Sequence, residues 1–116
     1  MEQEVKSIFN NFKIDNKSIP VEHLRYKGKS KTFVTWTLIS ELPSLSANDE
    51  SLYSVVQVDI DIFSDGNYLD IVKEVKKIMK NNEWLWVEDS SEMYEEDTEL
   101  YHKTITFEKE RFIDNG

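Results

Sequence analysis

The chain has 116 residues, no cysteine and a formal net charge of −9 at pH 7. This length predicts one domain, 1–116, with its own core, and the lack of cysteine excludes disulfides and thiolate metal sites. The acidic balance disfavours sequence-specific DNA binding, because such a surface repels phosphates. The apolar runs are too short to span a membrane and no signal-peptide pattern is present, so we expect a soluble protein made and kept in the cytoplasm.

An amphipathic helix is predicted over residues 2–13. Val5, Ile8 and Phe9 have the i, i+3, i+4 spacing of one apolar helical stripe. The polar residues 14–18 then end this helix.

Two strands follow, joined by a basic segment. We predict an extended stretch at 19–24 and a strand at 32–40, the latter because it is rich in β-branched and aromatic residues. Between them, residues 25–31 (RYKGKSK) carry four bases and no acid around a glycine, which predicts the tip of a hairpin. Residues 41–51 are predicted to form a polar loop that contains Pro43.

The stretch YSVVQVDIDIFSDGNY at 53–68 raises the question of an acidic site. We predict a long strand over 52–63, in which alternate residues face opposite sides. The even positions from Val56 onwards then form an apolar core face. Asp59 and Asp61 lie on the other face, roughly 7 Å apart at Cα from the rise of a strand.

Neither a calcium loop nor a nuclease centre fits these carboxylates well. An EF-hand requires an oxygen ligand at its fifth position and glycine at its sixth, where this chain has phenylalanine and serine. A two-metal nuclease would need further groups, and Glu74 and Lys76 have suitable spacing but fall on a helix. We therefore expect Asp59 and Asp61 to belong to an outward strand face, and Asp65 to cap the following helix.

The second half of the chain predicts a helix and two further strands. The segment from Tyr68 to Lys80 has a clear apolar stripe and a lysine-rich last turn, which is typical of a surface helix. Strands are predicted from 84–87, whose two tryptophans could be core or interface, and over 100–112. The order helix, three strands, helix, two strands predicts an α+β fold: a largely antiparallel sheet of about five strands, with two helices packed on one face.

No catalytic motif accompanies this fold. His23 and His102 both lie in predicted strands, where they are expected to be ordinary strand residues. There is no nucleophile elbow, glycine-rich phosphate loop or zinc-binding histidine motif. We therefore expect a protein that is not an enzyme and that uses neither a metal nor a cofactor.

Two predicted loops carry opposite charge. The bases of the first are Arg25, Lys27, Lys29 and Lys31, and the acids of the second, 88–99, are Glu88, Asp89, Glu92, Glu95, Glu96, Asp97 and Glu99. The simplest interpretation is two solvated loops. The alternative is a ring-forming protein whose opposite edges attract each other, in which these residues form the interface between subunits.

Several segments resemble a family of small tailed-phage and prophage proteins, the tail-completion or head–tail joining proteins of the tail-terminator type. The resemblance covers roughly residues 32–110 and is carried by TFVTWTLIS, by YSVVQVDIDIFSDGNYLDIVKEVKKIMK and by MYEEDTELYHKTITFEKE. Each piece is short, and their order and spacing make the similarity.

This resemblance implies a structural virion protein that assembles in the host cytoplasm as a ring, usually a hexamer. Such a ring caps the tail tube protein, contacts the head connector protein and lets DNA pass without specific binding. The family implies no catalytic residue, cofactor or membrane contact. In such a conduit an acidic lumen would repel DNA, and we expect Asp59, Asp61 and some acids of 88–99 to line the lumen or a subunit interface.

Two alternatives remain open from the residues alone. One is an acidic α+β adaptor that binds a basic protein through 88–99. The other is a metal-dependent nuclease that uses Asp59, Asp61 and Glu74.

Overall fold

The structure is a computed structural model that describes residues 2–43 and 53–112. The described elements are α1 (Glu2–Ile8), β1 (Lys13–Ile14), β2 (Lys17–Ser18), β3 (Val21–His23), β4 (Phe33–Pro43), β5 (Tyr53–Ser64), α2 (Leu69–Asn81), β6 (Leu85–Asp89), β7 (Met93–Glu95) and β8 (Leu100–Phe112). The fold is α+β, as the sequence predicts.

One mixed sheet organises the described part of the chain. Its strands follow the order β3-β4-β5-β8-β6, and β7 also pairs with β8. β5 occupies one side of β8, so β6 and β7 lie one after the other along its opposite side. The strands β1 and β2 form a separate two-stranded hairpin. All of these strand pairs are antiparallel except β3–β4, so the sheet is largely antiparallel.

The basic segment 25–31 is not a hairpin tip, and that prediction is wrong. β3 and β4 are parallel, with Val21 opposite Val34 and His23 opposite Trp36. A tight hairpin joins antiparallel strands, whereas this segment has to carry the chain back from the end of β3 to the start of β4. Charge around a glycine marks a loop in the sequence but does not give the relative direction of the strands on either side.

The core lies between the helices and one face of the sheet. Val58, Ile60 and Ile62 of β5 are fully buried, and Val5 of α1 and Val75 of α2 belong to the same cluster. The predicted core face of β5 is therefore confirmed. It forms because alternate strand residues share a face and the apolar set is shielded from water by the two helices.

The ends of several elements differ from the predicted ones. α1 ends at Ile8 rather than residue 13, because the chain turns through Asn11, whose φ of 58° lies in the left-handed region. Asp65 does not cap α2: the Asn67 side-chain oxygen accepts the Leu69 backbone N–H at 2.9 Å. β4 continues to Pro43 and so includes the start of the predicted loop 41–51, and the remainder of that loop lies outside the described residues.

Candidate functional site

The sheet face opposite the helices carries two carboxylates that are fixed by threonine hydroxyls. Thr106 Oγ1 donates to Asp59 Oδ1 at 2.6 Å, and Thr104 Oγ1 donates to Asp61 Oδ1 at 2.6 Å. Each threonine lies directly opposite its aspartate in the β5–β8 register. Because a hydroxyl donor is neutral, it orients a carboxylate without cancelling its charge. Asp59 and Asp61 therefore give this face two positioned negative charges, both half-buried.

His102 joins this face to the acidic segment, which we define as residues 88–99. Its Nε2 lies 2.9 Å from Asp61 Oδ1, and its Nδ1 lies 3.5 Å from Glu95 Oε1. Its ring also stacks on Phe63, with a centroid distance of 4.1 Å. The imidazole is held from three directions, so it behaves as a strand residue with a fixed orientation.

Stacked rings continue from His102 across the sheet as an aromatic row, which consists of Tyr26, Phe33, Phe63 and His102. Centroid distances along it are 4.5 Å from Tyr26 to Phe33, 4.7 Å from Phe33 to Phe63 and 4.1 Å from Phe63 to His102. Stacked cross-strand aromatic pairs stabilise a sheet beyond their buried area. The row ties the loop between β3 and β4 to the start of β8.

That loop, residues 25–31, is the basic tip. Its four cations, Arg25, Lys27, Lys29 and Lys31, are exposed, and none forms an ion pair with another described residue. The tip is folded around Tyr26, whose hydroxyl oxygen accepts a hydrogen bond from the Ser30 backbone N–H at 2.9 Å. A Cβ added at Gly28 would clash with the end of the Tyr26 side chain, so glycine permits this close approach. The tip therefore presents its charges from an ordered loop.

The acids of the acidic segment divide into two groups. Asp89, Glu92 and Glu95 contact other parts of the chain. Asp89 Oδ2 lies 3.1 Å from Lys76 Nζ and 3.6 Å from Lys103 Nζ. The acids Glu88, Glu96, Asp97 and Glu99 are exposed and make no side-chain ion pair with another described residue.

Two contacts of the acidic segment shift proton affinities. Partial burial alone would raise the pKa of Asp89, but hydrogen bonds from Trp86 and Lys76, together with the attraction of Lys76 and Lys103, lower it below its ordinary 3.8. The Tyr68 hydroxyl donates to the Glu92 carboxylate. This bond, then burial and the negative charge of Glu92, raises the pKa of Tyr68 to about 12. Both contacts attach the acidic segment to the rest of the fold.

The predicted acidic loop 88–99 is only partly a loop, because it includes the end of β6 and all of β7. Strand register places its turn, residues 96–99, and the basic tip at the same end of the sheet and at opposite edges. Phe33, Phe63, His102 and Met93 are opposite each other in successive pairs, so they form one row across β4, β5, β8 and β7. The basic tip lies just before this row at the β4 side, and the turn 96–99 lies just beyond it at the β7 side. The residues predicted as an interface are therefore not brought together within one chain.

The carboxylates of the nuclease alternative are not brought together either. Asp59 and Asp61 lie on the sheet face opposite the helices, whereas Glu74 lies on α2, whose buried side packs against the other face. The sheet separates them. Within residues 2–43 and 53–112, no group of three or more histidine, aspartate or glutamate side chains could hold a metal ion, and no helix is long and apolar enough to cross a membrane.

Sequence reasoning missed the partners that fix these acids. Thr104 and Thr106 of β8 are two residues apart, as Asp59 and Asp61 of β5 are. That shared spacing of two was the available signal. It indicates a contact only once the β5–β8 register is known, because a shift by one residue would turn one set to the other face.

Comparison with known proteins assigns the chain to a family. It belongs to a family of proteins of unknown function, DUF806, whose model matches residues 2–111. The match extends from α1 into the end of β8, so it includes the basic tip, the acidic segment and the carboxylate face. No curated protein matches the chain significantly.

Proposed function

We propose that this chain is a structural virion protein of a tailed phage or prophage, which caps the tail tube and joins it to the head connector as a ring, in the manner of a tail terminator. The observation that carries the proposal is the placement of opposite charges on the two edges of one sheet, at the same end. A ring requires a heterologous contact, in which one edge of a subunit meets a different edge of the next. Edges of opposite charge favour that contact and disfavour the meeting of two like edges.

The resemblance of residues 32–110 to tail-completion proteins supports the same function. Its segments include β4, β5, α2 and β8, which form most of the sheet and one of the two helices. The hexameric state follows from the resemblance alone.

The carboxylate face suits a passage for DNA. Asp59 and Asp61 are held by threonine hydroxyls, so both carboxylates have a fixed orientation on this face. Repeated around a ring with this face towards the lumen, these charges repel DNA phosphates and let the duplex slide without binding.

Electron microscopy of tail tubes tests the proposal. Purified protein mixed with uncapped tubes should give added density at one end of each tube, and capped tubes should then bind connector-bearing heads. Absence of binding to both tube ends and connectors would refute it.

Charge reversal tests the edge contact in the same assay. Changing Lys27, Lys29 and Lys31 to Glu should weaken capping, and adding Glu96→Lys with Asp97→Lys should partly restore it. The control is a double variant in which Lys73 and Lys77 of α2 are reversed to Glu instead of the tip lysines. These two exposed residues lie away from the edges, and their reversal should leave capping unchanged. Additive loss without any restoration would mean that the two loops do not face each other.

An acidic adaptor is the second candidate, and the exposed acids Glu88, Glu96, Asp97 and Glu99 favour it. Such a surface could bind a basic protein without any ring. An adaptor would remain monomeric at all concentrations and would recover a host protein rather than a tail component in a pull-down. It would also lose binding when Glu96 and Asp97 are reversed but keep it when the basic tip is reversed.

A further inference from the structure

Within the part of the chain that the structure describes, both edges of the sheet carry exposed apolar side chains, and these lie at the same level. Leu38, Val58, Phe107 and Trp86 are opposite each other in successive strand pairs, so they form one row across β4, β5, β8 and β6. Val58 and Phe107, in the middle, are buried. Leu38 is 38% exposed and Trp86 is 58% exposed. The row therefore ends in an uncovered apolar side chain at each edge.

Each edge also has a β-bulge next to this row, and both bulges hold an apolar residue. The register shifts at Ile39 in β4 and at Val87 in β6, and these residues are 48% and 41% exposed. β3 pairs with β4 only as far as Trp36, so it does not cover this part of β4. Bulges interrupt regular edge pairing. Contact at these edges would therefore be made by side chains rather than by a continued backbone ladder.

Trp86 is held in place although more than half of it is exposed. Its Nε1 donates to Asp89 Oδ1 at 2.7 Å, and Lys76 Nζ lies 4.8 Å from its ring centroid. A groove of about 300 Å³ lies beside it, lined also by Leu85 and Lys80. An exposed tryptophan that is already ordered suits an interface, because little side-chain freedom is lost when a partner covers it.

We propose that the groove beside Trp86 receives Leu38 and Ile39 from a second copy of this chain. The contact is head-to-tail and joins the β6 edge of one copy to the part of β4 beyond Trp36 in the next. The inference rests on the proposed function, for which it identifies the contact between neighbouring subunits of the ring. Leu38 and Trp86 face the same side of the sheet, so a neighbour in the same orientation presents Leu38 to the groove. The same placement brings the neighbour's basic tip towards the turn 96–99, since both lie at the same end of the sheet.

A two-fold contact between β6 of one copy and β6 of a second would bring fewer charged and apolar groups into contact. It reverses the direction of one copy, so that no basic tip meets a turn 96–99. It also leaves the apolar residues of the β4 edge uncovered. Charge and apolar surface thus both favour the head-to-tail arrangement.

Cysteine cross-linking tests the contact directly, because the natural chain has no cysteine. Ile39→Cys, Val87→Cys and the double variant are treated with a short bis-maleimide, each as purified protein and after addition to tail tubes. The double variant should give a ladder of cross-linked oligomers, whereas each single variant should remain uncross-linked. Circular dichroism first establishes that each variant has the spectrum of the natural protein.

Substitution of Trp86 gives a second measurement. In the double-cysteine background, Trp86→Ala should require about tenfold or more protein for the same cross-linking, which is the range for a central aromatic residue of an interface. Leu69→Ala is the matched control, because Leu69 is equally exposed at 58% but lies at the start of α2. It should leave the ladder unchanged.

The outcomes separate this contact from the proposed function. Dimers from a single-cysteine variant would overturn the head-to-tail contact in favour of a two-fold one. Capped tubes without a ladder from the double variant would overturn the contact and leave the proposed function standing. A ladder from purified protein that never binds tubes or connectors would support the contact and overturn the phage function.

Discussion

Asp89→Asn should destabilise the fold, because Asp89 holds the β6 edge to α2. The amide can still accept the Trp86 N–H, but it loses the charge that attracts Lys76 and Lys103. Hydrogen bonds to charged groups contribute about 1.5–3 kcal/mol, whereas exposed ion pairs contribute about 0.2–1 kcal/mol. The side chains of Asp89 and Lys76 are 22% and 37% exposed, which is between these cases. We therefore expect a loss of about 1–2 kcal/mol in the free energy of unfolding at pH 7.

Urea denaturation measures this loss. With a slope of about 1–3 kcal/mol per M for a small protein, the midpoint should fall by about 0.5–1 M without a change in slope. The matched control is Glu88→Gln, which removes the neighbouring acid. Glu88 is exposed and forms no ion pair with a described residue, so its substitution should change the unfolding free energy by less than about 0.5 kcal/mol. Equal effects of the two substitutions would refute the structural role of Asp89.

The pH dependence supplies a stricter test. The pKa of Asp89 is lowered in the folded protein, so the folded state binds fewer protons than the unfolded state near that pKa. Its contribution is therefore complete well above pH 3.8, declines as the pH falls through 3.8, and is lost as the pH passes the lower, folded-state value. The difference between the natural protein and Asp89→Asn should shrink between pH 5 and the lowest pH at which both remain folded. A difference that stays constant over this range would show that the charge is not responsible.

Three further substitutions test contacts that hold the candidate site. The natural protein should lose stability as the pH rises from 10 to about 12, because the raised pKa of Tyr68 makes the folded state bind the tyrosine proton more tightly than the unfolded state does. Tyr68→Phe should abolish this loss, and denaturation at pH 9 and pH 11 measures the change in stability. Thr106→Val should cost about 1–2 kcal/mol in denaturation at pH 7, because it leaves Asp59 without its donor. Gly28→Ala should cost about 1 kcal/mol, and should change the near-ultraviolet circular dichroism, since the new methyl group displaces the tyrosine that ends the aromatic row.

The sequence predicts what depends on local periodicity. Alternation identifies the buried face of β5, and the spacing of apolar residues identifies α2, because burial follows directly from the geometry of a strand or helix. The same reasoning extended α1 too far. Phe9 and Phe12 continue the apolar stripe and are buried at 4% and 5% exposure, but they reach the core from a turn that begins after Ile8.

What depends on strand register and direction could not be predicted. The threonine partners of Asp59 and Asp61 lie more than forty residues away along the chain. Their spacing fits, but only tertiary pairing decides which residues meet. The parallel pairing of β3 with β4 was missed for the same reason. The strands β1, β2 and β7 have only two or three residues each, too few for alternation to be visible.

The division of the acidic segment explains how one stretch can both stabilise the fold and attract a partner. Asp89 and Glu92 make contacts that hold the edge against α2, so this edge is ordered before any partner arrives. The exposed acids of the turn 96–99 project from that ordered edge, and their attraction for a basic partner acts through solvent. Exposed charges separated by more than about 8–10 Å are screened at physiological salt, whereas partly buried pairs are screened much less. Rising salt should therefore slow assembly at concentrations that do not yet weaken the contacts of Asp89 and Glu92. The salt dependence of assembly and of unfolding thus distinguishes the two groups of acids.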